Sequence, residues 1–276
     1  MVRFAANTSL MLILTSFAVG QTPVSAQPSP AATKDPAALA ALTQMEAAVG
    51  WNSVYAPSDL VATGTVTIYA GKDSSTFSVT YKLKGGSEFV TELADSAGTT
   101  KTVSNGRAAG VLKPDGSLDH LLPSFYPRSM RPMAFPFLTY LSSAATAPEV
   151  SIQNAGTRVI AGVSCQGIAL ARNLDAKDPL VSVEQLGSPM TIWIAKTGLP
   201  AEIDYALLAM DNFRAVMHRA RTFSDYRAIN GVAVPFHQEE FVDGQNISKL
   251  DLTDVLFNSG LSDVEFNVPT AQGGQQ

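Results

Sequence analysis

The sequence is poor in charge and nearly without cysteine. Of its 276 residues only 16% are Asp, Glu, Lys or Arg, against roughly 25% in an average globular chain. The balance is acidic, 24 Asp and Glu to 19 Lys and Arg. The basic stripe with which a nucleic-acid binder neutralises phosphates is therefore missing, and no nucleic acid is expected as a partner. Cys165 is the only cysteine and cannot close an intrachain disulfide. The three histidines, His120, His218 and His237, lie far apart, whereas metal sites draw on closely spaced ligands. Long apolar runs are absent too: Leu10 to Val19 falls short of the ~20 residues that span a bilayer, and no later stretch approaches that length. Hydrophobic residues still make up 46% of the chain, which excludes a disordered polyelectrolyte and supplies a core.

What is present begins with a targeting segment. Arg3 precedes the apolar run Leu10 to Val19, and Val24-Ser25-Ala26 places small residues where a signal peptidase reads them. The expected organisation is a signal peptide at 1–26, a Pro/Ser/Ala-rich leader at 27–36, one domain over 37–269 and a disordered tail at 270–276. Cys165 lies too far downstream to be an acylated N-terminus. A mature protein outside the cytoplasm, periplasmic or secreted and with no stable membrane span, is the expectation.

Asp35-Pro36 opens a helix, with Asp35 as its cap and Pro36 at its first position, and Leu39, Leu42, Met45 and Val49 recur at helical spacing before Gly50 ends it. From Asp59 the period shortens to two. Gly85-Gly86, Asn105-Gly106, Asn230-Gly231 and Asp243-Gly244 supply the positive φ of two-residue hairpin loops, each between β-branched or aromatic runs. Pro114-Asp115-Gly116, Asn154-Ala155-Gly156 and Thr197-Gly198-Leu199-Pro200 read as looser turns. Alternation in Thr65 to Tyr69, Phe77 to Tyr81 and Met190 to Ile194 gives the sheet an apolar and a polar face. The pattern predicts a mainly β chain of consecutive antiparallel hairpins, which must stack or curl to hide its edges.

Leu121 to Ala147 interrupts the hairpins. It carries Phe125, Tyr126, Met130, Met133, Phe135, Phe137, Leu138, Tyr140 and Leu141, while Pro123, Pro127, Pro132 and Pro136 forbid a central strand or a long helix in its first half. A Met-rich apolar segment of this kind suits a lid over a hydrophobic cavity, because the unbranched thioether repacks easily. Packing of a short helix on the core is the alternative. Candidate ligand-contacting residues are Phe125, Tyr126, Met130, Met133, Phe135, Phe137, Leu138, Leu141 and Trp193.

No constellation for catalysis emerges, and no cofactor is expected. The nucleophile-elbow Gly-x-Ser-x-Gly, the phosphate-binding loop and the dinucleotide glycine fingerprint are all missing. His237-Gln238-Glu239-Glu240 lacks the second histidine of a zinc helix, and on a strand Glu239 and Glu240 point to opposite faces. Cys165 reads as a small buried strand residue. Arg214, His218, Arg219 and Arg221 form a basic group expected to be a solvated face that pairs with the acidic strand Glu239 to Asp243.

The C-terminal third carries a resemblance. Ile192-Trp193-Ile194 with Thr197-Gly198-Leu199-Pro200-Ala201-Glu202-Ile203, then Asp225-Tyr226-Arg227-Ala228-Ile229-Asn230-Gly231-Val232-Ala233-Val234-Pro235, then Val255-Leu256-Phe257-Asn258 and Phe266-Asn267-Val268-Pro269, resembles the LolA/LolB-like superfamily of envelope lipoprotein-localisation proteins. Val103-Ser104-Asn105-Gly106-Arg107 is similar to its early hairpin. The resemblance implies a half-closed, strongly curved antiparallel sheet, an unclosed barrel, with an N-terminal helix and a short helical lid over a cavity for acyl chains. The family's early strand carries a lid-closing arginine; the matching Ser87 to Leu93 has none, Lys82 and Lys84 being the nearest cations.

The expected function is a non-enzymatic periplasmic protein that holds a lipid or lipoprotein acyl chain, with a lipid or acylated protein and an envelope protein as its partners. A docking module with a core filled around Trp193, Phe223 and Phe241, and a secreted hydrolase using Cys165 or an acid pair, are the alternatives.

Overall fold

The computed structural model describes residues 32–50, 57–85, 88–121, 144–173, 189–208 and 216–269. The signal segment, the tail and the proposed lid residues from Phe125 to Leu141 fall outside these. Helix α1 (Pro36–Val49) begins where the sequence places it: the Asp35 carboxylate accepts from the Ala37 and Ala38 amides at 2.7 and 3.0 Å, and Gly50 closes it at φ 76°.

Among the described residues thirteen strands follow: β1 (Asp59–Ala70), β2 (Asp73–Lys84), β3 (Glu88–Asp95), β4 (Gly98–Asn105), β5 (Ala109–Leu112), β6 (Leu118–Leu121), β7 (Val150–Ile160), β8 (Val163–Arg172), β9 (Met190–Ala195), β10 (Pro200–Leu208), β11 (Val216–Ile229), β12 (Val232–Val242) and β13 (Gln245–Phe257). They form one sheet in the order β6-β5-β4-β3-β2-β1-β13-β12-β11-β10-β9-β8-β7. Two antiparallel meanders are thus zipped together where the first strand meets the last, Leu60 opposite Phe257 and Val66 opposite Leu250. The two edges, β6 and β7, are not paired with one another, so the sheet is an unclosed barrel.

Its curvature shows in what meets on the inner face. Strands β2 and β11 are separated by β1, β13 and β12, about 19 Å across a flat sheet. Tyr81 on β2 and Arg221 on β11 nevertheless line one small cavity. The inner face carries α1: Ala38, Leu42, Met45 and Val49 are fully buried in the main core with Ile152, Ile168, Ile192, Ile203 and Val234.

The hairpin turns follow their chemistry at Asn230-Gly231 (φ 50° and 84°) and Asp243-Gly244 (φ 47° and 80°). Two differ from expectation. Asn154-Ala155-Gly156 is no turn but a bulge within β7, where the pairing register with β8 shifts. The β7–β8 turn is made instead by Ala161-Gly162, with Ala161 at φ 46°. An alanine in that region is sterically disfavoured, so only Gly162, at φ 81°, carries the usual turn signal. At Asn105 the loop is longer than two residues, because the Asn105 side-chain oxygen accepts from the amides of Arg107 and Ala108 at 3.0 and 2.8 Å.

After β13 the chain turns back over the outer face. The buried Asp59 carboxylate gathers this turn, accepting from the amides of Ser259, Gly260 and Leu261 at 2.6, 3.0 and 3.3 Å and from the Ser259 hydroxyl at 2.7 Å. A 3-10 helix, Asp263–Phe266, then inserts the fully buried Phe266 between Val90 and Val103. Lys82 pairs with Glu265 at 2.6 Å and Lys84 with Asp263. The two early cations therefore fasten a C-terminal strap to the outer face.

Candidate functional site

The inner face is the candidate site, and its centre is not purely apolar. Alternation along β11 and β12 turns Arg221, Phe223, Gln238 and Glu240 inward, where Arg221 stands opposite Glu240 and Phe223 opposite Gln238. Arg221 Nη2 donates to Glu240 Oε2 at 2.6 Å, Arg219 Nη1 to Oε1 at 2.7 Å, and the Tyr205 hydroxyl to Oε1 at 2.6 Å. Arg221 and Glu240 are each 5% exposed. Burial alone would raise the Glu240 carboxyl, but Arg221, then Arg219 and the Tyr205 hydrogen bond, hold it at about 2. The same burial pushes the Tyr81 hydroxyl up to about 12.

The basic group of β11 thus pairs with the acidic strand as its spacing implies, but not as a solvated face. The pairing is internal, because Arg219 and Arg221 share the inward set of the strand with Phe223. Arg214 lies outside the described residues. Beside this cluster, a cavity of about 20 Å³ is framed by Val66, Tyr81, Arg221, Gln238, Glu240 and Leu250 among others, room for about one water molecule. Among the described residues, two buried polar atoms in the cluster find no partner, Arg219 Nε and Gln238 Oε1.

Trp193 stands elsewhere. Its neighbours Ile192 and Ile194 belong to the inner core, whereas Trp193 packs with Ile160 and Cys165 in a separate outer cluster. The expectation that it lines the cavity is corrected by the period of two: the position between two inward residues faces out. For the same reason Trp193 and the inward Phe223 do not share one filled core. Gly167 makes room for the indole, since a Cβ there would lie 2.7 Å from the ring. The Arg158 guanidinium stacks 4.2 Å from the ring centroid, and Nε1 donates to Asp204 at 2.7 Å. Arg158 also pairs with Glu202, and with Asp204 at 3.1 Å. Burial, then the hydrogen bond with Asp204, raise the Glu202 carboxyl to about 7 despite Arg158.

Cys165 is 1% exposed on this outer face, and burial pushes its thiol up, away from the nucleophilic thiolate. Glu239 and Glu240 point to opposite faces, Glu239 accepting from Asn246 at 3.2 Å. His237 pairs with Asp251 at 2.6 Å. Among the described residues no group of three His, Cys, Asp or Glu is placed to hold a metal ion, and no helix is long and apolar enough to cross a membrane.

This architecture has counterparts among solved structures. A domain from Vibrio parahaemolyticus named for outer-membrane lipoprotein sorting superposes with a TM-score of 0.53 at 12% identity, over 83% of this chain and 95% of that one. A LolA superfamily protein from Nitrosomonas europaea gives 0.53 at 14% identity, over 84% and 97%. The fold is LolA-like. A DUF1329 family protein from Desulfovibrio piger shares the LolA-like arrangement at a TM-score of 0.54 and 14% identity, over 84% and 96% of the two chains. No protein-family model and no curated protein matches the sequence. At 12–14% identity the likeness is one of fold alone.

Proposed function

We propose that the protein is a non-enzymatic component of the cell envelope, exported by its N-terminal segment, that holds a lipid or the acyl chain of a lipoprotein against the inner face of its sheet. The observation that carries this reading is topological. The two outermost strands of the sheet, β6 and β7, are joined through the apolar Phe125 to Leu141 run. In this reading Phe125, Tyr126, Met130, Met133, Phe135, Phe137, Leu138 and Leu141 form an adaptable cover, and Trp193 takes no part. The name of the Vibrio relative, lipoprotein sorting, agrees with such a role. Each buried acyl CH₂ contributes about 0.8 kcal/mol, so a dozen would hold a chain without any charged contact.

One observation favours a second reading, a docking module with a filled interior. Helix α1 already occupies part of the inner face, with four of its side chains fully buried there. Native mass spectrometry of protein purified from its own envelope fraction, followed by organic extraction, separates the two. Co-purifying mass that extracts as lipid is the expected result. Protein at its sequence mass, unable to take up fluorescent acyl chains after delipidation, would overturn the lipid-holding reading in favour of docking.

A further inference from the structure

The small cavity beside the ion-pair cluster is framed by five strands. Val66 on β1 and Leu250 on β13 give it apolar walls, whereas Tyr81 on β2, Arg221 on β11, and Gln238 and Glu240 on β12 are polar or charged. Cavities that stay dry are lined by apolar groups alone, and a polar one with room for a water holds it. At about 20 Å³ this one takes a single molecule.

Two of the lining side chains have complementary needs. Gln238 is 3% exposed, and its Nε2 donates to the Pro235 carbonyl at 3.4 Å. That bond sets the orientation of the amide, because turning it over would place oxygen against oxygen. Oε1 is then the acceptor end, buried and, among the described residues, without a donor. Tyr81 is 5% exposed and shows the converse. Its hydroxyl stands in the field of Arg221 and Glu240 but, among the described residues, donates to no acceptor. A buried donor and a buried acceptor left unbonded are both costly, and the two residues meet at one cavity.

We propose that one water molecule is a fixed part of this structure, accepting a hydrogen bond from the Tyr81 hydroxyl and donating one to Gln238 Oε1. Glu240 and Ser248, which also line the cavity, carry oxygens for its second hydrogen. The bridge bears on the shape of the sheet. Strands β2 and β12 are separated by β1 and β13, about 14 Å across a flat sheet, and share no backbone hydrogen bond. The water ties them together on the inner face and so contributes to the curl. Its role is independent of whether a lipid lies against the same sheet.

A crystal structure of the wild-type protein at a resolution that shows ordered solvent tests this. One water is expected within about 2.7–3.0 Å of both Tyr81 Oη and Gln238 Oε1. A dry cavity, or a water that misses either oxygen, would overturn the assignment. Urea denaturation of Tyr81→Phe, Gln238→Met and the double variant gives a second reading, since Phe and Met keep the bulk and remove the two polar groups. Each single change breaks the same bridge. The loss in the double variant is therefore expected to fall short of the product of the single losses by roughly five-fold in the folding constant, about the net contribution of one hydrogen bond. Losses that simply multiply would overturn the bridge. The wild-type density decides the matter even if the variants fail to fold.

Discussion

Gly50, the residue that ends α1, lies so close to Gly231 in the β11–β12 turn that a Cβ on Gly50 would sit 2.0 Å from the Gly231 carbonyl oxygen. The helix is thereby seated by backbone contact as well as by the side chains of Leu42, Met45 and Val49. Gly50→Ala must both accept φ 76° and push the turn away. Gly231→Ala faces a similar φ, 84°, with open space around its Cβ. The left-handed conformation alone costs about 1–2 kcal/mol. Urea denaturation is expected to show that loss in Gly231→Ala and a clearly larger one in Gly50→Ala; equal losses would mean that the helix end is not clamped.

Cys165 offers a direct check on the hydrolase alternative. Buried beside Ile160 and Trp193, with its thiol pushed up by burial, it is expected to resist iodoacetamide in the native protein and to react fully once denatured. Rapid native labelling would contradict this placement and revive a nucleophilic role.

Much of this architecture was legible in the sequence because it rests on local chemistry. Asp35, Pro36 and Gly50 announce α1, and Asn230-Gly231 and Asp243-Gly244 announce turns whose φ they alone adopt cheaply. The Ala161-Gly162 turn was hidden because alanine carries no such signal, and Asn154-Gly156 misled because the same residues also make bulges. The inner polar cluster was readable only in part. Charge complementarity between β11 and β12 could be seen, but its burial depends on which way a long strand faces once the sheet curls, and on Tyr205 arriving from a third strand. The aromatic chemistry of Trp193 points to the cavity, whereas its parity with Ile192 and Ile194 turns it outward.

The C-terminal strap separates packing from pairing. Phe266 is fully buried between Val90 and Val103, and large-to-small changes of this kind cost roughly 3–5 kcal/mol. The Lys82–Glu265 pair, with side chains 24% and 33% exposed, belongs to a class worth about 0–1 kcal/mol. Phe266→Ala is therefore expected to lower the melting temperature far more than Glu265→Gln, with amide exchange quickening first in β3 and β4. A comparable effect of the two variants would refute that ranking.

Acid should act through Glu240. Its carboxyl sits at about 2 in the folded chain against an ordinary 4.5, so the folded state binds fewer protons than the unfolded one between those values. The associated stabilisation, on the order of 3 kcal/mol by linkage, is complete above pH 4.5 and disappears as pH falls towards 2. Glu240→Gln should flatten that part of the stability curve while destabilising the protein at neutral pH, where Arg219 and Arg221 lose their counter-charge. Chemical denaturation between pH 2 and 7 measures both; an unchanged acid slope in the variant would locate the acid sensitivity elsewhere.

Around neutrality the outer face should respond with the opposite sign. Glu202 is raised from 4.5 to about 7, by burial first and by Asp204 second, so protonation favours the folded state. Its contribution is present below pH 4.5 and is lost as pH rises through 7. The reporter is adjacent: Trp193 stacks on Arg158, which pairs with both Glu202 and Asp204. With Trp51→Phe removing the other indole, fluorescence of Trp193 should change with a midpoint near 7, because ionisation of Glu202 adds a negative charge against Arg158. Glu202→Gln should abolish that transition while Asp204 still holds the indole N–H. A transition that survives in Glu202→Gln would assign it to another group and remove the carboxyl pair as its source.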